Sequence, residues 1–173
     1  MSTDWTPSLW QNSFESLLDQ ELDYGDEWTL AFSYKQTDQV TDEERKRGCK
    51  VSNYCAFGNF RCRSCSNTWS SAKVTVLFRY RLRQTAERGT VIVRPFGQSC
   101  RSCQDDVFYM AGFSEDEVDN TLLQLFRKIR KNCYRETQDR SDHATDCTIV
   151  KKTKPHRREL CEACQQGICC LDD

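Results

Sequence analysis

The chain of 173 residues has no stretch approaching the roughly 18 consecutive apolar residues that a membrane-crossing helix needs. Its most apolar segments, residues 74–78 and 91–93, are only strand-sized. Residues 1–10 lack a basic start, an apolar centre and a small-residue cleavage site, so they do not read as a signal peptide, and a reducing compartment is expected. Histidine is scarce, with only His143 and His156. No nucleophile–base pattern accompanies them. A zinc deaminase would need His-x-Glu and a Pro-Cys-x-x-Cys pair, whereas Glu159 lies three residues after His156 and no cysteine pair directly follows a proline. The chain is therefore read as non-enzymatic. At 38% hydrophobic residues and a mean hydropathy of -0.76, it has enough apolar surface to fold but a thin core.

Cysteine is what the chain has in abundance, twelve in all. Six stand in three Cys-x-x-Cys pairs, Cys62/Cys65, Cys100/Cys103 and Cys161/Cys164, and His156 and Cys169 flank the last. Two residues between cysteines let one backbone knuckle present both sulfurs to one ion, and thiolate and imidazole are the ligands that structural zinc takes four at a time. Two zinc ions are expected, each supplying on the order of 10 kcal/mol of folding free energy in a small module. Disulfide staples and redox catalysis are the competing readings. The first needs a secretory route, and the second usually shows a single pair within a strand-helix-strand unit.

A net charge of -1 conceals a division: residues 1–40 carry eight acids against Lys35, while residues 56–101 carry nine Lys/Arg against Glu87. Within the acidic part, Trp10, Phe14, Leu17, Leu18 and Leu22 recur at helical spacing. An acidic polar face would be repelled by anionic lipid, so this stripe is read as docking on the body. Residues 28–34 read as a strand and residues 36–53 as a charged loop without periodicity. Strands over residues 74–80 and 90–96, turned through Glu87-Arg88-Gly89, form a hairpin that brings Cys100 and Cys103 to the first pair. Ser114 and Glu117 predict a capping box opening a helix over residues 115–133, with Val118, Leu122, Leu125, Phe126 and Ile129 as its apolar stripe. Arg127, Lys128, Arg130 and Lys131 occupy its last turns, and residues 135–154 read as a linker that returns His156.

The expected fold is α+β: a small antiparallel sheet with zinc-ribbon-like knuckles, flanked by an N-terminal helix and a second amphipathic helix. Residues 1–40 form an acidic arm packing on residues 41–173, the zinc-binding body, in one globular unit.

Four motifs together, Phe57-Gly-x-Phe-x-Cys-x-x-Cys65, Trp69-x-Ser71-Ala72, Gln98-x-Cys-x-x-Cys103 and His156-x-x-Glu-Leu-Cys-Glu-Ala-Cys164, resemble the three-CxxC zinc-finger family, most closely its receptor-transporting protein branch. The resemblance covers roughly residues 5–170. It implies a zinc-binding protein that escorts G-protein-coupled receptors, olfactory and taste receptors especially, to the cell surface. One interferon-induced member of the branch implies an antiviral, RNA-binding alternative. Longer members carry a C-terminal membrane anchor. This implies the cytoplasmic face of the endoplasmic reticulum and plasma membrane where an anchor is present, and a soluble cytoplasmic location for residues 1–173 by themselves.

Cys62, Cys65, Cys100 and Cys103 are assigned to one ion, and His156, Cys161, Cys164 and Cys169 to the other. Cys133 and Cys170 are possible replacements for Cys169. Cys49, Cys55, Cys147 and His143 read as ordinary side chains. The rival to receptor escort is nucleic-acid binding: Arg79, Arg81 and Arg83 share one side of a strand, and Arg61, Arg63, Arg94 and Arg101 belong to the same module. Such a face would track phosphates, with Phe57, Phe60, Tyr80 or Phe96 stacking on bases.

Overall fold

The computed structural model describes residues 3–103, 107–135 and 156–168. His143, Cys147, Cys169, Cys170 and nearly all of the expected linker fall outside these. The described elements are α1 (Pro7–Glu21), β1 (Glu27–Phe32), a short α2 (Asp42–Lys46), β2 (Lys50–Arg61), β3 (Thr68–Arg83), β4 (Arg88–Pro95), α3 (Glu115–Cys133) and a single-turn α4 (Glu162–Gln165). The sheet order is β1-β4-β3-β2. The antiparallel hairpins β2/β3 and β3/β4 match the α+β expectation, and β1 extends the sheet at one edge in parallel with β4. A parallel neighbour needs a long crossover, and the whole β2–β3 excursion between β1 and β4 supplies it.

Side chains that alternate along β3 are divided between two cores. Val74, Val76, Phe78 and Tyr80 face the main core, which α1 and α3 close with Trp10, Phe14, Leu122, Leu125, Phe126 and Ile129. Leu77 points the other way, into a small core with Phe96, Cys161, Ala163 and Ile168. The sheet thus carries helices on one face and the third cysteine pair on the other. Both helical stripes expected from the sequence are the buried ones. In the main core Trp10 and Phe113 meet edge to face at 5.4 Å, a favoured aromatic geometry.

The two helix starts differ from expectation in an informative way. Ser114 caps α3 by accepting from the Glu117 amide at 3.3 Å, but the Glu117 carboxylate accepts from the Phe57 backbone N–H at 2.7 Å and so ties the helix to β2 beside its bulge. The complete capping box lies at Thr41 and Glu44, within the segment read as an unstructured loop. Six charged residues in a row, Asp42 to Arg47, hid a helix too short to show periodicity. The acidic arm is fastened at its far end, where Arg130 pairs with Glu21 and Tyr134 donates to Asp26 while accepting from Trp28 Nε1.

Gly89 sits opposite Trp28 in the parallel register, and an added Cβ would fall 2.2 Å from the indole. Replacing it must displace a buried ring. Gly89→Ala is expected to destabilise the protein by about 1–3 kcal/mol in chemical denaturation; an unchanged midpoint would show that the indole moves aside freely.

Candidate metal centres

The first centre is assembled from two knuckles that are distant in sequence. β2 ends at Arg61 and delivers Cys62, where the backbone turns: Ser66 N–H donates to Cys62 O at 2.9 Å and Cys62 N–H to Asn67 O at 2.8 Å. A left-handed Ser66 (φ 60) completes the turn. β4 ends at Pro95 and leads to Cys100 and Cys103. Strand pairing between β3 and β4 then sets the second knuckle against the first.

All four sulfurs lie within 4.8 Å of one another, with Cys62···Cys103 at 3.6 Å and Cys65···Cys100 at 3.7 Å. Four sulfurs at about 2.3 Å from a zinc ion in a tetrahedron stand about 3.8 Å apart. A disulfide would require about 2.05 Å. All four are free cysteines, so the first group has the dimensions of an ion site and not of a pair of bridges.

Electrostatics agree. The backbone N–H of Cys65, with further help from Tyr109 OH, pulls the Cys62 thiol down to about 6. Cys103 is driven the other way, well above the ordinary thiol range, because Cys65 and Cys62 crowd against it. Without a cation among them, four thiolates cannot all ionise at this spacing; a divalent ion removes the conflict.

His156, Cys161 and Cys164 form a second group within 4.8 Å, lying against the small core. His156 Nε2 is 3.3 Å from Cys164 Sγ, close to the roughly 3.5 Å expected for imidazole and thiolate on one tetrahedral zinc. The knuckle resembles the first, with Cys164 N–H donating to Cys161 Sγ at 3.4 Å. Three donors are thus brought together. Cys133 is not among them, since it packs with the main core on the opposite face of the sheet, and burial pushes its thiol up to about 11. Ile168, the residue before Cys169, is buried in the small core, and its carbonyl accepts from Asn53 Nδ2 at 2.9 Å. Cys49 is a buried free thiol. Cys55, read as an ordinary thiol, is disulfide-bonded. Spacing gave no hint of that.

The seven arginines do not form one surface. Arg79 is paired with Glu44, and Arg81 donates to Arg47 O at 2.8 Å, so α2 sits over both. Arg94 is buried, lies 4.3 Å over the Phe96 ring and pairs with Glu162 at 3.6 Å. Arg61, Arg63 and Arg83 are exposed, and Arg101 is half-buried. Of the aromatics considered for base stacking, Phe60, Tyr80 and Phe96 are buried, with Phe60 stacked on Trp69 at 5.2 Å. Sequence reasoning missed the roles of Gln98 and Glu162. The Gln98 side chain bridges Trp69 and Ser71, and Glu162 binds both Arg94 and the Gly97 amide. An acid or amide inside or beside a Cys-x-x-Cys pair was the only signal that could have found them.

Two clusters of soft donors on backbone knuckles, one complete with four thiols, define a structural zinc-binding protein of the zinc-ribbon type. The chain belongs to the three-CxxC family: the family model described as a zinc-binding domain matches residues 55–167. Receptor-transporting protein 4 of Homo sapiens is 32% identical over 165 residues, which cover 95% of this chain and 64% of that protein. Receptor-transporting protein 3 of Mus musculus is 29% identical over 95% of this chain and 34% of its own length. Receptor-transporting protein 1 of Homo sapiens is 27% identical over 94% of this chain and 60% of its own length. The chain thus spans between about a third and two thirds of these relatives. No solved structure matches it. Among the described residues, no helix is long and apolar enough to cross a membrane.

The two groups fit two zinc ions. Elemental analysis of the purified protein should give two zinc per chain, and exhaustive chelation should abolish the cooperative thermal transition. A cooperative transition that survives in verified metal-free protein would show that the apolar cores hold the fold alone.

Proposed function

We propose that this protein is a non-enzymatic, zinc-stabilised adaptor that binds G-protein-coupled receptors and promotes their delivery to the cell surface. The observation that carries the proposal is the alignment with receptor-transporting proteins over about 95% of the chain, with both donor groups present. A zinc ion held by four protein ligands keeps no open position for water or substrate, so such a site serves shape and not reaction. Function then resides on the surface that the ions hold in place. Where the full-length protein carries a C-terminal anchor, its place of action is the cytoplasmic face of the endoplasmic reticulum and plasma membrane, where receptor loops and tails are accessible.

Under this reading Cys62, Cys65, Cys100 and Cys103 bind one ion, and His156, Cys161 and Cys164 bind the other, with Cys169 as the fourth ligand. The anchoring of Ile168 beside the small core supports Cys169 over Cys133, whose thiol lies with the opposite core. Cys169→Ser should reduce bound zinc from two ions towards one, while Cys133→Ser and Cys170→Ser should leave two. The reverse pattern would reassign the ligand.

Co-expression with an olfactory-type receptor should raise its surface level several-fold, and Cys100→Ser should abolish the increase. An unchanged surface level with folded, zinc-loaded protein would reject the escort reading. The RNA-binding alternative has weaker support, since three of its four stacking candidates are buried and Arg79, Arg81 and Arg94 are engaged internally. Single-stranded RNA binding at micromolar affinity, weakened steeply by salt and by Arg61→Glu/Arg63→Glu, would favour it instead.

A further inference from the structure

The last residues before Cys100 and the residues around Cys161 form one hydrogen-bonded ribbon. Gly97 N–H donates to Glu162 Oε1 at 2.9 Å, and Gly97 O accepts from Glu162 N–H at 3.1 Å. Ser99 N–H donates to Leu160 O at 2.9 Å. On the other edge Gln98 and Tyr109 exchange both backbone bonds, at 3.1 and 2.8 Å. Residues 97–99, bridged on both edges through Gln98, thus act as a short middle strand outside the four-stranded sheet. One edge holds the knuckle of the second metal group, and the next residue in the chain is a ligand of the first.

Side chains lock this strand in place. Gln98 is buried, donates to Ser71 Oγ at 3.0 Å and accepts from Trp69 Nε1 at 3.2 Å. Trp69 in turn stacks on Phe60, two residues from Cys62. Gly97 admits no side chain at this close approach, because an added Cβ would stand 2.7 Å from Tyr109 O. Glu162, between the two cysteines of the third pair, bonds to Gly97 and faces the Arg94 guanidinium at 3.6 Å. Arg94 is 5% exposed and also donates to the Gln36 carbonyl, a neutral acceptor, so loss of the Glu162 carboxylate removes the counter-charge from a buried cation.

From this arrangement we infer that the two metal centres are one linked unit: residues 97–99 and Glu162 couple occupancy of the Cys62 group to affinity at the His156 group. The inference rests on the ligand sets proposed above. An ion on Cys100 and Cys103 fixes the C-terminal end of the middle strand, and the strand then presents a finished edge to residues 160–162. With that end unfixed, the second knuckle must order its own support before it can bind. Coupling is reciprocal, so an ion in the second group must tighten the first by the same factor. Glu162 acts here as a positioning residue, with no ligand role of its own.

The test uses the metal-free full chain and Co2+, whose visible absorption distinguishes four-sulfur from mixed sulfur–nitrogen coordination. Wild-type protein should bind two ions in order, the four-sulfur spectrum first. Glu162→Gln should leave the first equivalent unchanged and weaken the second about tenfold, in the middle of the range usual for site-to-site coupling. Cys164→Ser provides the reciprocal arm: with its four-sulfur group intact, it should hold that ion about tenfold more weakly than the doubly loaded wild type in equilibrium competition with a chelator. This variant also guards against misfolding, because its first-equivalent spectrum reports whether the Cys62 group still forms. Two ions binding independently, with Glu162→Gln leaving the second affinity unchanged and Cys164→Ser holding the first ion as tightly as the doubly loaded wild type, would overturn the linkage alone. A single bound ion in wild type would overturn the ligand assignment and the linkage with it.

Discussion

Four cysteine sulfurs held closer than 4.8 Å repel one another once ionised, and the protein places them there nonetheless. Backbone amides favour the thiolate at Cys62 while its neighbours resist it at Cys103, a conflict that a divalent cation resolves. Much of the remaining architecture follows from bringing these sulfurs together. β2 and β4 each run directly into a knuckle, and β3 is the spacer that sets one knuckle against the other. Metal and sheet are thus mutually dependent. Strand register determines where the sulfurs converge, and an ion at that point fixes strand ends that would otherwise fray.

The second centre is built differently. It lies on the face of the sheet opposite the helices, over a core of only a few side chains, and depends on neighbouring elements for support. Arg94, Glu162 and the ribbon through residue 97 attach it to the sheet. Burying an arginine beneath a metal knuckle is costly unless its charge is met, and Glu162 meets it from inside the Cys-x-x-Cys pair. Hydrophobic burial on this face is confined to a few side chains, so an ion here stabilises a region that the main core does not reach.

Under the proposed adaptor reading, this design holds the binding surface on rigid supports. The acidic arm is held against α3 by Arg130 and Tyr134, and α2 covers part of the arginine row of β3. The basic composition of residues 56–101 is therefore partly internal wiring. Arg79, Arg81 and Arg94 serve helix α2, its following turn and the third pair, leaving Arg61, Arg63 and Arg83 as the exposed members of the set.

What the sequence determined by itself was local and periodic. Apolar stripes at helical spacing identified the buried faces of α1 and α3, alternation identified β3 and β4, and Cys-x-x-Cys spacing identified the knuckles, because each of these signals depends only on near neighbours along the chain. Tertiary structure decided what depends on distant partners: the parallel docking of β1, the diversion of Glu117 from its cap to β2, and the disulfide at Cys55. It also decided which charges face solvent. An arginine on a strand reads the same in sequence whether it meets water, Glu44 or Glu162, since a counter-charge dozens of residues away leaves no local trace.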